Sequence, residues 1–134
     1  LELLAQNKKK FALDHMYIIP GTAPEALEEL PVPTHAFIGG SSGNMKEIVE
    51  LLIKKNPQVR IVINCITLET VGEALGCIRE LAKQEGCECE NEIVQLCVSR
   101  SKNIGRYHMM MGENPIYIIT VQMLKTSEEV EEQA

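Results

Sequence analysis

The sequence predicts an α/β fold in which a mostly parallel sheet, linked by crossover helices, ends in an antiparallel strand pair. Three observations lead there. Short apolar runs, two of them closed by Pro-Gly or Gly-Gly, alternate with longer stretches whose apolar residues recur at helical spacing. Such alternation is the mark of repeated βα units. Beyond residue 86 it stops, and two strand-like runs follow with no long helix between them, which requires antiparallel pairing.

The elements follow in order. Leu1, Leu4, Ala5, Lys8 and Ala12 share one helical face, yet no N-cap residue precedes them and no Met begins the chain. The opening therefore reads as cut on its N-terminal side. His15–Ile19 is an apolar run read as a buried strand, turned by Pro20-Gly21. Thr22 is placed to cap a short helix from Pro24 to about Leu30. His35–Ile38 predicts a second strand, broken by Gly39-Gly40, and a helix over 44–56 presents Met45, Ile48, Val49 and Leu52 inward. The β-branched run Val59–Asn64 suits a central strand. A long helix over Leu68–Glu85, with Leu68, Val71, Leu75, Ile78 and Leu81 on one side, is closed by Gly86. Glu92–Ser99 and Pro115–Leu124 form the antiparallel pair, joined by a polar loop. Residues 1–126 are read as one partial domain, and the glutamate-rich tail 127–134 as frayed.

Composition narrows the function classes. Of 134 residues, 45% are hydrophobic and 24% charged, a balance suited to one domain with a core. The net charge of −6 argues against general affinity for nucleic acid. No apolar run approaches the roughly 20 residues of a membrane-spanning helix. The five cysteines lack paired metal-ligand spacing, and reduced cytosolic thiols outweigh reading Cys87-Glu88-Cys89 as half a metal site. A cytoplasmic protein is expected.

In an open parallel sheet, ligands bind beyond the carboxyl ends of the strands. Three segments lie there: 20–24, 39–44 and 64–69. Among them Gly39-Gly40-Ser41-Ser42-Gly43-Asn44 lets bare backbone approach a ligand and aims helix N–H groups at an anion. A merely tight turn explains the same residues equally well. Arg100, Lys102 and Arg106 lie in the polar loop, which is either a carboxylate-binding loop or a solvated one. Asn64, at a strand end, either meets a ligand or caps its own loop. His15, His35 and His108 have no metal spacing and are read as structural. Met109-Met110-Met111 is read as packing material, with an apolar substrate wall as the alternative.

Taken in order, Gly21-Thr22-Ala23-Pro24-Glu25-Ala26-Leu27, Phe37-Ile38-Gly39-Gly40-Ser41, Asn64 with Thr67-Leu68-Glu69-Thr70, Ser99-Arg100, Gly105-Arg106-Tyr107 and Asn114-Pro115 resemble the decarboxylating precorrin methyltransferases, of the CbiT type or the C-terminal half of CobL. The resemblance runs from Asn7 to about Thr120. It implies a Rossmann-like class I S-adenosylmethionine methyltransferase fold whose first two strands, with the glycine-rich loop and the ribose-binding acid, are missing from this sequence. It implies S-adenosylmethionine as cofactor, a precorrin tetrapyrrole as substrate, a place in cobalamin biosynthesis and a homo-oligomer. Gly21, Thr22 and Ala23 are then expected near the adenine, and Gly39, Gly40 and Ser41 where donor meets substrate. Ser42, Asn64, Arg100 and Arg106 are expected on the tetrapyrrole. Without strands one and two, the strand at Met16–Ile19 loses its neighbours, and a rearranged sheet, a partner or flanking sequence must fill the gap. Two alternatives stand beside this reading: a methyltransferase-like domain with another acceptor, and a non-catalytic truncated domain that self-associates.

Overall fold

A computed structural model describes residues 1–40, 43–86 and 88–124. The chain divides into two compact units, Leu1–Pro31 and Val32–Ala134.

The first unit holds helix α1 (Glu2–Lys10) and one 3-10 turn at Glu25–Leu27. As expected, α1 has no side-chain cap at Leu1; Glu2 in its first turn and Lys8, Lys9 and Lys10 in its last complement the helix dipole. None of its residues is fully buried. The strand expected at His15–Ile19 does not form. An apolar run becomes a strand only when a neighbour takes its backbone groups, and no described strand pairs with this one. The Thr22 cap also takes a different form. Its carbonyl, not its hydroxyl, accepts from the Ala26 N–H at 3.0 Å.

The second unit is built on a four-stranded sheet. Its strands are β1 (His35–Ile38), β2 (Arg60–Cys65), β3 (Cys89–Leu96) and β6 (Ile116–Met123), in the order β1-β2-β6-β3. β1 and β2 run parallel, and β6 lies antiparallel to both β2 and β3, the expected antiparallel finish. Helix α2 (Met45–Lys55) connects β1 to β2, and α3 (Leu68–Glu85) connects β2 to β3. Alternation along the strands gives the sheet one core face, made of Ile38, Ile61, Ile63, Cys65, Ile119, Val121 and Met123. Met45, Ile48, Val49, Leu52 and Ile53 of α2, and Ala74, Cys77, Ile78 and Leu81 of α3, complete the core. The α3 spacing of 74, 77, 78 and 81 is an i, i+3, i+4, i+7 stripe. Leu68, expected on that stripe, is instead 73% exposed in the helix's first turn.

The ends of α3 fall where the sequence puts them. The Thr67 hydroxyl accepts from the Thr70 N–H at 3.1 Å, and Gly86 closes the helix in the left-handed region at φ 63°. The stretch expected to be a polar loop is instead a two-stranded hairpin, β4 (Ser99–Ile104) and β5 (Tyr107–Gly112), turning through Gly105-Arg106. All twelve strand residues are exposed, so burial imposes no apolar period for a sequence reading to find.

The two core thiols carry a pH-dependent contribution to stability. Burial, with Glu50 adding to it, pushes the Cys77 thiol up from 9.0 to about 11, and burial raises Cys65 in the same direction. The folded state favours the neutral thiol. Its contribution is therefore complete below pH 9.0 and is lost as the pH rises towards about 11. Urea titrations across that range should show stability falling more steeply for the wild type than for Cys77→Ala; parallel curves would assign the decline to other groups.

Candidate functional site

The parallel β1–β2 pair puts two chain segments at one end of the sheet. Ile38 pairs with Ile63, so Gly39 and Gly40 leave β1 beside Asn64 and Cys65 as β2 ends. The antiparallel neighbours bring Tyr117 to Cys65, and Leu96 to Ile116, at the same rim. Three sequence-selected residues, Gly39, Gly40 and Asn64, are therefore neighbours through backbone pairing. Ser41 and Ser42 lie outside the described residues.

Asn64 falls on the sheet face opposite the helices, out of phase with Ile63 and Cys65. Its Oδ1 atom is buried and meets no hydrogen-bond donor among the described residues. A buried carbonyl left unpaired costs about 1–3 kcal/mol. Such a group calls for its own account, in strain, in a functional role or in a water or ion that supplies the missing donor. Across the parallel register, Phe37 pairs with Val62 and shares this face. Its ring is 70% exposed and leans over the rim: a Cβ built on Gly39 would lie 3.2 Å from Phe37 Cε1. Among the described residues a Cβ at Gly40 would meet nothing within 4 Å, so they leave space open above that backbone. Phe37 has no expected role in the sequence motif that contains it. The signal was present in His35-Ala36-Phe37-Ile38, where Phe37 alternates with buried Ile38 and must face away from the core.

The remaining candidates are placed elsewhere in the fold. Arg100 begins the hairpin and its Nε donates to Glu113 Oε1 at 2.7 Å. Arg106 lies in the turn at the other end, its guanidinium 5.9 Å from the centre of the Tyr107 ring. Four strand steps of about 3.4 Å separate Arg100 from Ile104, so the two arginines do not form one clamp. Gly21, Thr22 and Ala23 belong to the first unit. Gly21 has a local reason to be glycine, since φ is +141° and a Cβ would sit 2.7 Å from that of Ala26. Thr67 and Thr70 are accounted for by the α3 cap. A shallow polar recess of about 60 Å³, lined by Arg60, Glu90, Glu92 and Gln122 among others, lies at the start of β2, away from this rim. No group of metal-ligating side chains occurs among the described residues, and no described helix is long and apolar enough to cross a membrane.

Comparison with known proteins gives a consistent picture. A family model described as a precorrin methyltransferase domain matches residues 1–123. A Pyrobaculum calidifontis protein named probable cobalt-precorrin-6B C(15)-methyltransferase (decarboxylating) is 33% identical over 121 residues, covering 90% of this chain and 59% of its own length. A protein of the same name from Methanothermobacter thermautotrophicus is 35% identical over 107 residues, covering 79% and 53%. The crystal structure of a precorrin-6y C5,15-methyltransferase from Geobacter metallireducens superposes with a TM-score of 0.76 at 31% identity, covering 88% of this chain and 60% of that one. An S-adenosylmethionine-dependent O-methyltransferase from Thermotoga maritima, 12% identical with a TM-score of 0.62, shares the fold alone. The chain thus spans between about half and three-fifths of the length of these relatives.

The unpaired Asn64 carbonyl makes a thermodynamic prediction. Asn64→Val should leave the fold intact and raise its stability to urea by about 1 kcal/mol, by removing an unsatisfied buried acceptor. A loss of 1 kcal/mol or more would mean that the carboxamide is satisfied within the fold and waits for no ligand.

Proposed function

The chain belongs to the precorrin methyltransferase domain family, and from that premise we propose that it serves the S-adenosylmethionine-dependent, decarboxylating C-methylation of a precorrin in cobalamin biosynthesis. The observation that carries this reading is the orphaned Asn64 Oδ1, buried at a rim that also bares the Gly39-Gly40 backbone. Hydrogen-bonded ligand groups are what such an acceptor and such a backbone require.

The residues fit part of the methyl donor. Among the described residues the space above Gly40 is open to close approach, Phe37 offers an aromatic face, and Gly43-Asn44 precede the N-terminus of α2. No acidic side chain follows β1 or β2 directly to hold ribose hydroxyls, since Gly39-Gly40 and Ile66-Thr67 occupy those places. When bound, the donor supplies an electrophilic methyl group on a sulfonium. The protein's part in such a transfer is to align the accepting carbon at roughly 3–3.5 Å and to exclude water. On this proposal Asn64 takes a donor group of the tetrapyrrole and Phe37 covers the rim. Arg100 and Arg106 pair with substrate carboxylates, and Gly21, Thr22 and Ala23 keep their adenine role. The electrons released when the acetate side chain loses carbon dioxide pass into the ring system of the substrate itself, so no protein nucleophile is needed. The same proposal sets the protein in the cytoplasm, where cysteines such as Cys65, Cys77 and Cys97 stay reduced.

A second reading, self-association, is favoured by the open edge of the sheet at β3. Ile93, Val94 and Leu96 there are 46%, 39% and 41% exposed. We propose that the chain forms a homo-oligomer through this edge. Sedimentation velocity decides it: Ile93→Lys should shift the wild-type species to monomer, and an unchanged species would reject the edge.

For the enzymatic reading, methyl transfer from labelled S-adenosylmethionine to cobalt-precorrin-6B is the test. Asn64→Val should lower kcat/KM at least tenfold, and Arg100→Ala should act chiefly by raising KM. Undiminished transfer by Asn64→Val would remove the rim from the reaction. Absence of transfer by the wild type would leave self-association as the surviving reading.

A further inference from the structure

The polar recess at the start of β2 is built by strand register. Val62 pairs with Thr120, and one step further along the same register Arg60 stands opposite Gln122. On the other side of β6, Gln122 pairs with Glu90 and Thr120 with Glu92. Directly opposed residues share a face. These alternate with the core residues Ile61, Ile119 and Val121, so all of them lie on the sheet face away from α2 and α3. The cation of β2 and the two carboxylates of β3 are therefore set across an intervening strand whose own side chains, Thr120 and Gln122, are neutral.

We propose that this recess binds the zwitterionic head of a free α-amino acid, its carboxylate on Arg60 and its ammonium on Glu90 and Glu92. The site is separate from the Asn64 rim, and the proposal does not depend on the methyl-transfer reading. The opposite charges around the recess are left apart: among the described residues neither Arg60, Glu90 nor Glu92 makes an ion pair. A metal cation placed there would be repelled by Arg60, and a simple anion by the two glutamates. A molecule that carries both charges meets neither penalty.

Spacing and size point to the same class of ligand. Two strand separations of about 4.8 Å put the β2 and β3 backbones about 9.6 Å apart. An α-amino acid separates its ammonium from its carboxylate oxygens by about 3 Å. With a charge-assisted hydrogen bond of about 2.8 Å at each end, it bridges about 9 Å. The recess, of about 60 Å³, has room for about four to six water-sized groups at about 10–15 Å³ each. That is enough for the head of the molecule, and the shallow mouth leaves its side chain to solvent. The floor is already set. Gln122 Nε2 donates to the Gln58 carbonyl at 2.9 Å, which holds the carboxamide and leaves its Oε1 to accept from an ammonium. A ligand so placed ties β2 to β3 across β6. It binds only the folded chain and so stabilises it.

Nuclear magnetic resonance titration of the labelled full chain with L-alanine tests the site. L-Alanine should shift the Gln122 side-chain amide together with the backbone amides of Glu90 and Glu92. Acetate and methylammonium, each carrying one of the two charges, should bind about tenfold more weakly or not at all. Arg60→Gln and Glu90→Gln should each weaken L-alanine by about tenfold or more. Lys54→Gln, an exposed change on α2, should alter its affinity less than twofold. Circular dichroism checks that all three variants fold. Urea titration gives a second readout: L-alanine should raise the midpoint of the wild type and leave that of Arg60→Gln unmoved. Unmoved Gln122, Glu90 and Glu92 resonances, equal binding of acetate, or wild-type affinity in Arg60→Gln and Glu90→Gln would overturn the proposal. Shifts by L-alanine confined to Gly39, Gly40 and Asn64 would place the amino-acid head at the rim, rejecting the recess while leaving the methyl-transfer reading in place.

Discussion

The second unit depends on β2 being paired on both sides. Its backbone is shared between parallel β1, along Arg60–Ile63, and antiparallel β6, along Ile61–Cys65, so the strand is locked in register. That register buries Ile61, Ile63 and Cys65 against α2 and α3. It also forces Asn64 to the opposite face, because a one-residue slip would exchange every side chain between faces. A polar residue is thereby held at a place where the described residues give its carbonyl nothing to accept from. The parallel pairing with β1 then delivers Gly39 and Gly40 to the same rim. Position and chemistry at this site are consequences of strand register, not of loop conformation.

Much of this was legible in the sequence because the governing signals are local. Helix α3 runs over Leu68–Glu85 as its period and Gly86 indicate, since a residue free to adopt positive φ acts within one turn; the Thr67 cap is seen only in the structure. The β-branched run before Asn64 and the Gly-Gly break after Ile38 likewise placed β1, β2 and the rim. Readings that depended on partners fared differently. His15–Ile19 has the composition of a strand but no described strand to pair with. Ser99–Gly112 has the composition of a loop, yet pairs with itself through a tight turn at Gly105-Arg106. Leu68 fits a helical period but sits in the exposed first turn of α3. In each case the deciding interaction is non-local, and one-dimensional periodicity does not encode it.

The candidate site was legible in part for the same reason. Gly39, Gly40 and Asn64 were selected as strand-end residues, and backbone pairing joins them. Arg100 and Arg106 are expected on the substrate from their charge and from the family motifs, and the hairpin separates them. Gly21 was selected from a motif, whereas its positive φ and the nearby Ala26 methyl are reason enough for glycine there. The place of Phe37 and the paired faces of the methionine run emerge only once alternation along real strands is known.

The central claim is that the carboxyl ends of β1 and β2 form a ligand rim centred on the Asn64 carboxamide. Nuclear magnetic resonance reports on that group directly, through its side-chain amide and the backbone amides of Gly39 and Gly40. Titration of the labelled chain with S-adenosylhomocysteine and with uroporphyrin III should shift the Asn64 side-chain resonances together with both glycines, under at least one of the two ligands. Shifts confined to other residues, with Asn64, Gly39 and Gly40 unmoved at saturation, would contradict the account.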